Sequence, residues 1–356
     1  MAASNPSKDL WQYLTTVQKP VVLYGTGNGA DKILDRLEEK GVSVSGVFAS
    51  SDFVRNRTFR GMKVESFEDL HPRLGEMVVL ICFGTDRKEV LENIDHIASI
   101  CEVYAPDVPV YGTVHFDREY YDAHLSEIEK AKEMLCDELS RDTFDRICRY
   151  KISGDYTLLR ACETTDEELA SLIRLPDDAR YIDLGAYNGD TVQLYHRLLP
   201  KIQNVIAVEP DKRNFRKLQE NTSSLPISIR YVRALISDHD GQASVDRNKG
   251  RGTHEESVSG QNAETIEMKA LVTLLREDRA DLIKFDVEGN EEKAICGGRE
   301  ILLRDHPALI VSCYHRSEDI FSIPLLIKSI VPEYKVFLRH RPHLLPWNTE
   351  FIFTMP

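Results

Sequence analysis

The chain has 356 residues, enough for two domains, and at 42% hydrophobic and 29% charged it excludes global disorder. Its net charge of −13 speaks against nucleic acid as a partner, because phosphate binding needs a basic field. Seven cysteines, none in C-x-x-C spacing, read as buried reduced thiols. The first residues lack the apolar stretch of a signal peptide. No apolar run approaches the ~18–20 residues of a membrane span. The expectation is a soluble, cytoplasmic protein with no membrane span, for which a homo-oligomer stays open.

In chain order, residues 8–18 predict a short amphipathic helix with Leu10, Trp11 and Leu14 on one face. Strand 20–24 leads through Gly25-Thr-Gly-Asn-Gly-Ala30 into a helix over 31–40, then strand 42–48. Ser66 is a helix cap with Asp69 three residues on. Strand 77–83, helix 86–99 and strand 101–105 complete a small alternating β/α unit. Gly25, Gly27, Asn28 and Gly29 would offer backbone amides to a phosphate at a helix start. The competing reading is a tight turn with a structural purpose. Asp52, after the second strand, is a ribose acid or a solvated loop residue.

Residues 114–175 are rich in charge, with Leu125, Ile128, Met134, Leu135 and Leu139 at helical spacing. They predict two or three linking helices, with Glu127–Lys130 and Glu129–Lys132 as surface pairs. The polar and aromatic stretch 150–159 reads as a connector, with a lid over a cleft as the second reading.

From Arg180 the alternation is regular. Strands are predicted near 180–184, 204–209, 228–233, 281–287, 307–313, 334–339 and 350–355, with helices in most intervals, 290–304 among them. Tyr181-Ile-Asp-Leu-Gly-Ala-Tyr-Asn-Gly-Asp-Thr191 runs from a strand, through a turn holding Gly185 and Gly189, into a helix. Such a turn lets backbone approach a nucleotide-like ligand closely. Glu209 ends the next strand, where an acid accepts ribose hydroxyls. Lys284, Asp286 and Glu288 alternate, so one strand would point all three to one side, toward the cleft, with Lys284 keeping an acid ionised as base. Glu291 and Glu292 are helix-start charges or site residues. His315, after the fifth strand, is a candidate general base. Arg339, among His340, Arg341 and His343, would orient an anionic or sugar substrate, unless the cluster is a polar loop. Asp286, Glu288 and His315 have the chemistry to hold a divalent metal. Ion pairing with Lys284 accounts for these acids more simply, so no metal is expected.

The stretch Asp183-Leu-Gly-Ala-Tyr-Asn-Gly-Asp-Thr191 resembles the first motif of S-adenosylmethionine (SAM)-dependent methyltransferases. In particular it is similar to the FkbM family form D-x-G-A-x-x-G-x-[ST]. Glu209-Pro210 and Leu282-Ile-Lys-Phe-Asp-Val-Glu-Gly-Asn-Glu291 resemble the same family, whose signature is I-K-x-D-V-E-G-x-E. The resemblance spans residues 178–356. It implies a seven-stranded Rossmann-like sheet with the last strand antiparallel. It also implies SAM as cofactor, held by Asp183, Gly185, Ala186, Asn188, Gly189, Thr191, Glu209, Ala234 and Asp286. The implied activity is O-methylation of a sugar or other hydroxylated small molecule, with Asp286, Glu288, Lys284 and His315 as catalytic candidates. Family members often carry an acid two residues before this histidine; here Cys313 stands there. Leu23-Tyr-Gly-Thr-Gly-Asn-Gly-Ala30, with Gly61 and Val64-Glu-Ser-Phe-Glu-Asp-Leu70, resembles the N-terminal domain of some sugar-modifying enzymes, including bacterial sugar acetyltransferases. There the domain contacts a nucleotide-sugar, which implies carbohydrate modification.

The expected architecture is α/β: a Rossmann-like domain over 1–113, a helical linker or lid over 114–175, and the methyltransferase domain over 176–356. One rival function is an NAD(P)-dependent oxidoreductase working through residues 25–29, although these lack regular G-x-G-x-x-G spacing. The other is a non-catalytic SAM-binding regulatory module, against which the charged strand 284–288 weighs.

Overall fold

The computed structural model describes residues 8–50, 54, 57–246 and 263–356. Asp52 lies outside the described residues. In the N-terminal part, strands β1 (Val21–Tyr24), β2 (Val44–Phe48), β3 (Thr58–Phe59), β4 (Met62–Glu65), β5 (Val78–Ile81) and β6 (Glu102–Tyr104) form one sheet. Its order is β3-β4-β2-β1-β5-β6. Its pairs are parallel except for the β3–β4 hairpin. Every residue of β1 and β5 is buried. Central parallel strands are covered on both faces, so they read as unbroken apolar runs instead of alternation. Leu10, Trp11 and Leu14 are buried from the short helix Leu10–Leu14. The Ser66 cap forms as expected: Ser66 Oγ accepts from the Asp69 amide at 3.1 Å and donates to its carboxylate at 2.9 Å.

The linking region holds five helices instead of two or three: Arg118–Ala123, Leu125–Glu133, Glu138–Ser153, Thr157–Arg160 and Asp166–Ser171. Leu139, expected inside, is exposed. Phe144, Ile147, Tyr150 and Ile152 supply the buried face of the long helix. Of the stretch 150–159, residues 150–152 are buried in that helix, and the rest connects it to the short helix Thr157–Arg160. Lys132 pairs with Asp145 at 2.6 Å rather than with Glu129. Lys151 and Asp107 form a buried pair at 3.0 Å. One apolar cluster runs from Val22 and Val79 of the first sheet, through Phe144 and Ile147, to Ile283, Leu309 and Phe351. The linking helices thus fuse the two sheets into one body through a shared core.

The C-terminal part contains β7 (Ala179–Leu184), β8 (Ile202–Val208), β9 (Ser228–Val232), β10 (Leu235–Ser237), β11 (Gly241–Asp246), β12 (Ala263–Ala270), β13 (Leu282–Phe285), β14 (Ala308–Ser312), β15 (Lys335–His340) and β16 (Thr349–Thr354). Seven of them form the sheet β15-β16-β14-β13-β7-β8-β9. The last strand, β16, runs antiparallel to both β14 and β15, as expected. A second small sheet, β10-β12-β11, was not foreseen. The helix predicted over 290–304 is two helices, Glu291–Gly297 and Arg299–Asp305. Gly297 and Gly298 part them, and a Cβ on Gly297 would stand 2.3 Å from the Ser237 carbonyl oxygen.

Chain order turns back between β7 and β13, so the carboxyl ends of these two strands flank the crevice where α/β sheets bind ligands. In the first sheet the same reversal falls between β1 and β5.

Candidate active site

Asp183 on β7 and Lys284 on β13 are register partners. Asp183 is fully buried; it accepts a 2.6 Å hydrogen bond from Thr191 Oγ1, and Lys284 Nζ stands 3.6 Å away. Burial pushes the Asp183 carboxyl up, against the opposing pull of Lys284 and Thr191. Asp183 therefore supports the glycine turn from below, and its carboxylate is sealed from the crevice. Lys284 is 1% exposed, pairs with Asp286 at 3.0 Å and reaches the Gly185 carbonyl at 3.5 Å. Burial works against its charge, yet Asp286 and Asp183 hold the ammonium above its ordinary range.

The turn above Asp183 is held by sterics and by one acid. Gly185 has φ +85°, and a Cβ there would lie 1.8 Å from the Asp286 carbonyl oxygen. Tyr187 takes a left-handed φ of +46° and Gly189 one of +87°. Glu209, 6% exposed, accepts from the Tyr187 amide at 3.0 Å with one oxygen and from the Asp211 amide at 2.8 Å with the other. Burial pushes the Glu209 carboxyl up to about 8, and the two amide bonds act against that rise. Each oxygen retains a second acceptor direction, which suits a pair of ribose hydroxyls. Asn188 Oδ1 accepts from the Asp190 amide at 3.2 Å, fixing the start of the helix Asp190–Leu198. Ala186 and Ala234 are both fully buried, Ala234 between β9 and β10.

At the end of β13 the expected alternation holds only in part. The strand stops at Phe285, and the chain turns through Glu288 at φ +55° and Gly289 at φ +92°. Lys284 is sealed beneath, while the Asp286 and Glu288 side chains are 26% and 33% exposed. The three charges form a descent from cleft to core, not one row facing the cleft. For Asp286, Lys284 and His315 outweigh burial and hold the carboxyl down at about 2.

His315 is fully buried beside these acids. Its Nε2 lies 3.5 Å from Asp286 and 3.6 Å from Glu288, and its Nδ1 lies 2.9 Å from Glu291. Burial would lower the imidazole, but Glu291, Glu288 and Asp286 together raise it to about 10. The acid facing the histidine is thus Glu291, from the following helix. Cys313 is buried, with its thiol directed at the Thr349 carbonyl. Of the two helix-start acids, Glu291 is 1% exposed and joins the site, whereas Glu292 faces outward.

Three neighbours escaped the sequence. Tyr314 donates to Asp286 at 3.2 Å. Arg316 donates to the Gly289 carbonyl at 2.7 Å and stacks over the Tyr111 ring at 4.1 Å. Tyr111 donates its amide to the His315 carbonyl at 2.8 Å. Segment 105–117 is therefore strapped over the β13 and β14 ends; no periodicity or motif in it announced this.

Other candidates lie elsewhere. Arg339, expected to orient substrate, is 5% exposed and binds Asp137 at 2.6 Å and Ser140 at 2.8 Å. Its charge is spent on tying β15 to the linking helices. Arg341 binds Glu350 and Asp166, and His340 contacts Thr349. His343 and Trp347 stack and press on Gly84, where a Cβ would stand 2.5 Å from the histidine ring. In the N-terminal turn, a Cβ on Gly25 would meet the Phe83 ring at 2.8 Å, and one on Gly29 the Cys82 carbonyl oxygen at 2.4 Å. Around Gly27 the space is open, and Asn28 is exposed.

Residues 183–340 match the family profile of the methyltransferase FkbM domain. The 2-O-methyltransferase NoeI of Sinorhizobium fredii (strain NBRC 101917 / NGR234) is 27% identical over 158 residues. That match covers 38% of this chain and 64% of NoeI, so it spans less than two thirds of the relative. A crystal structure of methyltransferase FkbM from Methylobacillus flagellatus KT superimposes with a TM-score of 0.71 at 19% identity. It covers 94% of this chain and 90% of its own, so the likeness in fold extends through both sheets. No helix among the described residues is long and apolar enough to cross a membrane.

Proposed function

We infer that this chain, which carries an FkbM methyltransferase domain over residues 183–340, transfers a methyl group from SAM to a hydroxyl oxygen of a sugar or other hydroxylated small molecule. The observation that carries the reading is the pairing of two strand ends. Glu209 clamps the glycine turn at one, and Asp286 and Glu288 reach the cleft at the next. The turn fits the cofactor because Glu209, bound to its Tyr187 amide, keeps acceptor directions for ribose. Asn188, Gly189 and Thr191 lie at the helix start that would receive the cofactor's carboxylate. Ala186 and Ala234 would pack near its adenosine.

The cofactor supplies an activated methyl group on a sulfonium. Held by the turn at 183–191 and Glu209, it would give the methyl carbon to the acceptor oxygen and keep the electron pair of the broken sulfur–carbon bond. The chain must align the hydroxyl and take its proton. Asp286, kept ionised by Lys284, orients the hydroxyl. Glu288, the more exposed acid, takes the proton. Lys284 and His315 stand behind Asp286 as positioning residues. The domain division is taken as 1–113, 114–175 and 176–356. The relative NoeI is itself a 2-O-methyltransferase. A sugar acceptor is favoured further by the resemblance of the N-terminal turn. The oxidoreductase reading loses its ground, because Cys82 and Phe83 account for Gly25 and Gly29 without a cofactor.

The test is transfer of labelled methyl from SAM to a panel of sugars and nucleotide-sugars. Asp286→Asn is expected to keep S-adenosylhomocysteine binding and to lower turnover at least ~100-fold, the scale of a misplaced acceptor. Unchanged turnover would remove Asp286 from the chemistry. No transfer to any hydroxylated acceptor would remove the substrate class.

A further inference from the structure

We propose that Asp286, Glu291 and His315 form a divalent-cation site at the end of β13, suited to an ion of the magnesium or manganese class. One donor atom from each residue lies within 4.8 Å of those of the other two. Glu291 is 1% exposed and His315 fully buried. Among the described residues, both ring nitrogens of His315 and Oε2 of Glu291 lack a hydrogen-bond partner. Glu291 Oε1 stands 2.9 Å from Nδ1, but that oxygen accepts the Val287 amide at 2.8 Å, and the imidazole is not aligned for a hydrogen bond to it. An unsatisfied polar atom in a protein interior costs about 1–3 kcal/mol, and an ion bound to one ring nitrogen would meet that nitrogen and Glu291 Oε2 together.

The spacing suits an ion. His315 Nε2 is 3.5 Å from Asp286 Oδ1 and 3.6 Å from Glu288 Oε2. These distances are long for hydrogen bonds, yet close to the separation of two donor atoms that share one ion at ~2.1 Å. Two carboxylates with one imidazole make a mixed oxygen and nitrogen set that manganese tolerates well. The charge balance points the same way. Asp183, Glu291 and Asp319 are all buried here, against the buried ammonium of Lys284 and the imidazole of His315, whose proton an ion would displace. Asp286 and Glu288 are partly exposed, so the ion would be reached from the cleft and would face the acceptor hydroxyl. A Lewis acid there makes a hydroxyl easier to deprotonate. The cation site stands on this geometry alone; its role in the reaction rests on the methyltransferase reading. It departs from the simpler ion-pair account of these acids, which leaves the Glu291 and His315 atoms unsatisfied.

The experiment uses the full chain, treated with a chelator and titrated with Mn2+, with free Mn2+ read by electron paramagnetic resonance. The expected result is one saturable Mn2+ per chain, displaced by excess Mg2+. Its affinity should fall at least ~10-fold in Glu291→Gln and His315→Gln, the usual scale for damage to a metal site. Asp286→Asn alters a partly exposed ligand and keeps the test valid if the buried variants fail to fold. No saturable Mn2+ in the wild type, or unchanged affinity in Asp286→Asn, overturns the proposal. Thermal shift with S-adenosylhomocysteine on the same samples separates the two readings. A shift without Mn2+ binding overturns the cation site alone; Mn2+ binding without a shift overturns the methyltransferase reading alone.

Discussion

The molecule contains two glycine turns in equivalent places, each leading from the first strand of a parallel sheet into a helix at a point where strand order reverses. In both, glycine answers a steric demand from the neighbouring strand end. Gly29 makes room for the Cys82 carbonyl and Gly185 for the Asp286 carbonyl. The turns differ in what surrounds them. At residues 183–191 a buried acid, a buried lysine and Glu209 converge on the backbone. At residues 25–29 the close neighbours are a thiol-bearing residue and a phenyl ring. Glycine spacing therefore reports close packing at a switch point, and the charged residues on adjacent strand ends report the chemistry.

The largest expected effect comes from Gly185→Ala. Its Cβ would collide with backbone that cannot give way, so S-adenosylhomocysteine binding should vanish and the melting point should fall; a variant that melts and binds like wild type would refute the packing. Next is Glu209→Ala. Hydrogen bonds to a charged group are worth about 1.5–3 kcal/mol each, so losing two from ribose should weaken S-adenosylhomocysteine at least ~100-fold by calorimetry. The N-terminal turn supplies the contrast. Gly29→Ala should destabilise the chain by about 1–3 kcal/mol, as overpacking does, and leave cofactor affinity unchanged. Gly27→Ala, in open space, should change stability by less than about 0.5 kcal/mol. Loss of cofactor binding in Gly29→Ala would break the contrast between the turns.

A separate readout of the same turn is a pH dependence. Glu209 is raised by burial to about 8 from its ordinary 4.5. A raised acid stabilises the fold fully below about 4.5 and loses that contribution as pH rises through about 8. The melting point of wild type relative to Glu209→Gln should therefore decline between pH 6 and pH 9. Ribose hydroxyls prefer the ionised acceptor, so binding should release a proton and tighten over pH 6 to 8. Calorimetry in buffers of different ionisation enthalpy reads both; a flat profile would show Glu209 already ionised.

Much of the fold was legible because central strands of both sheets are covered on two faces and so spell themselves as Val, Ile and Leu runs, as β5 and β14 do. The strand-end acids were legible for the complementary reason, since charge at the end of such a run has few structural uses. What escaped depends on partners distant in sequence. Arg339 looked available for substrate until Asp137, 202 positions away, was found to claim it. The acid facing His315 was sought two residues upstream, while Glu291 supplies it from another element. Segment 105–117 shows its purpose only where Tyr111 meets Gly289 and Arg316. The helix break at Gly297 and Gly298 was written in the sequence, but its cause, the Ser237 carbonyl, belongs to another element, strand β10.

The most direct test of the central claim, that the turn at 183–191 with Glu209 holds SAM, is a thermal shift of the full chain with S-adenosylhomocysteine. At about 100 times the dissociation constant the ligand should stabilise the fold by about 2.7 kcal/mol, a clear rise in midpoint. An unchanged midpoint, in protein shown to carry no cofactor from purification, would contradict it.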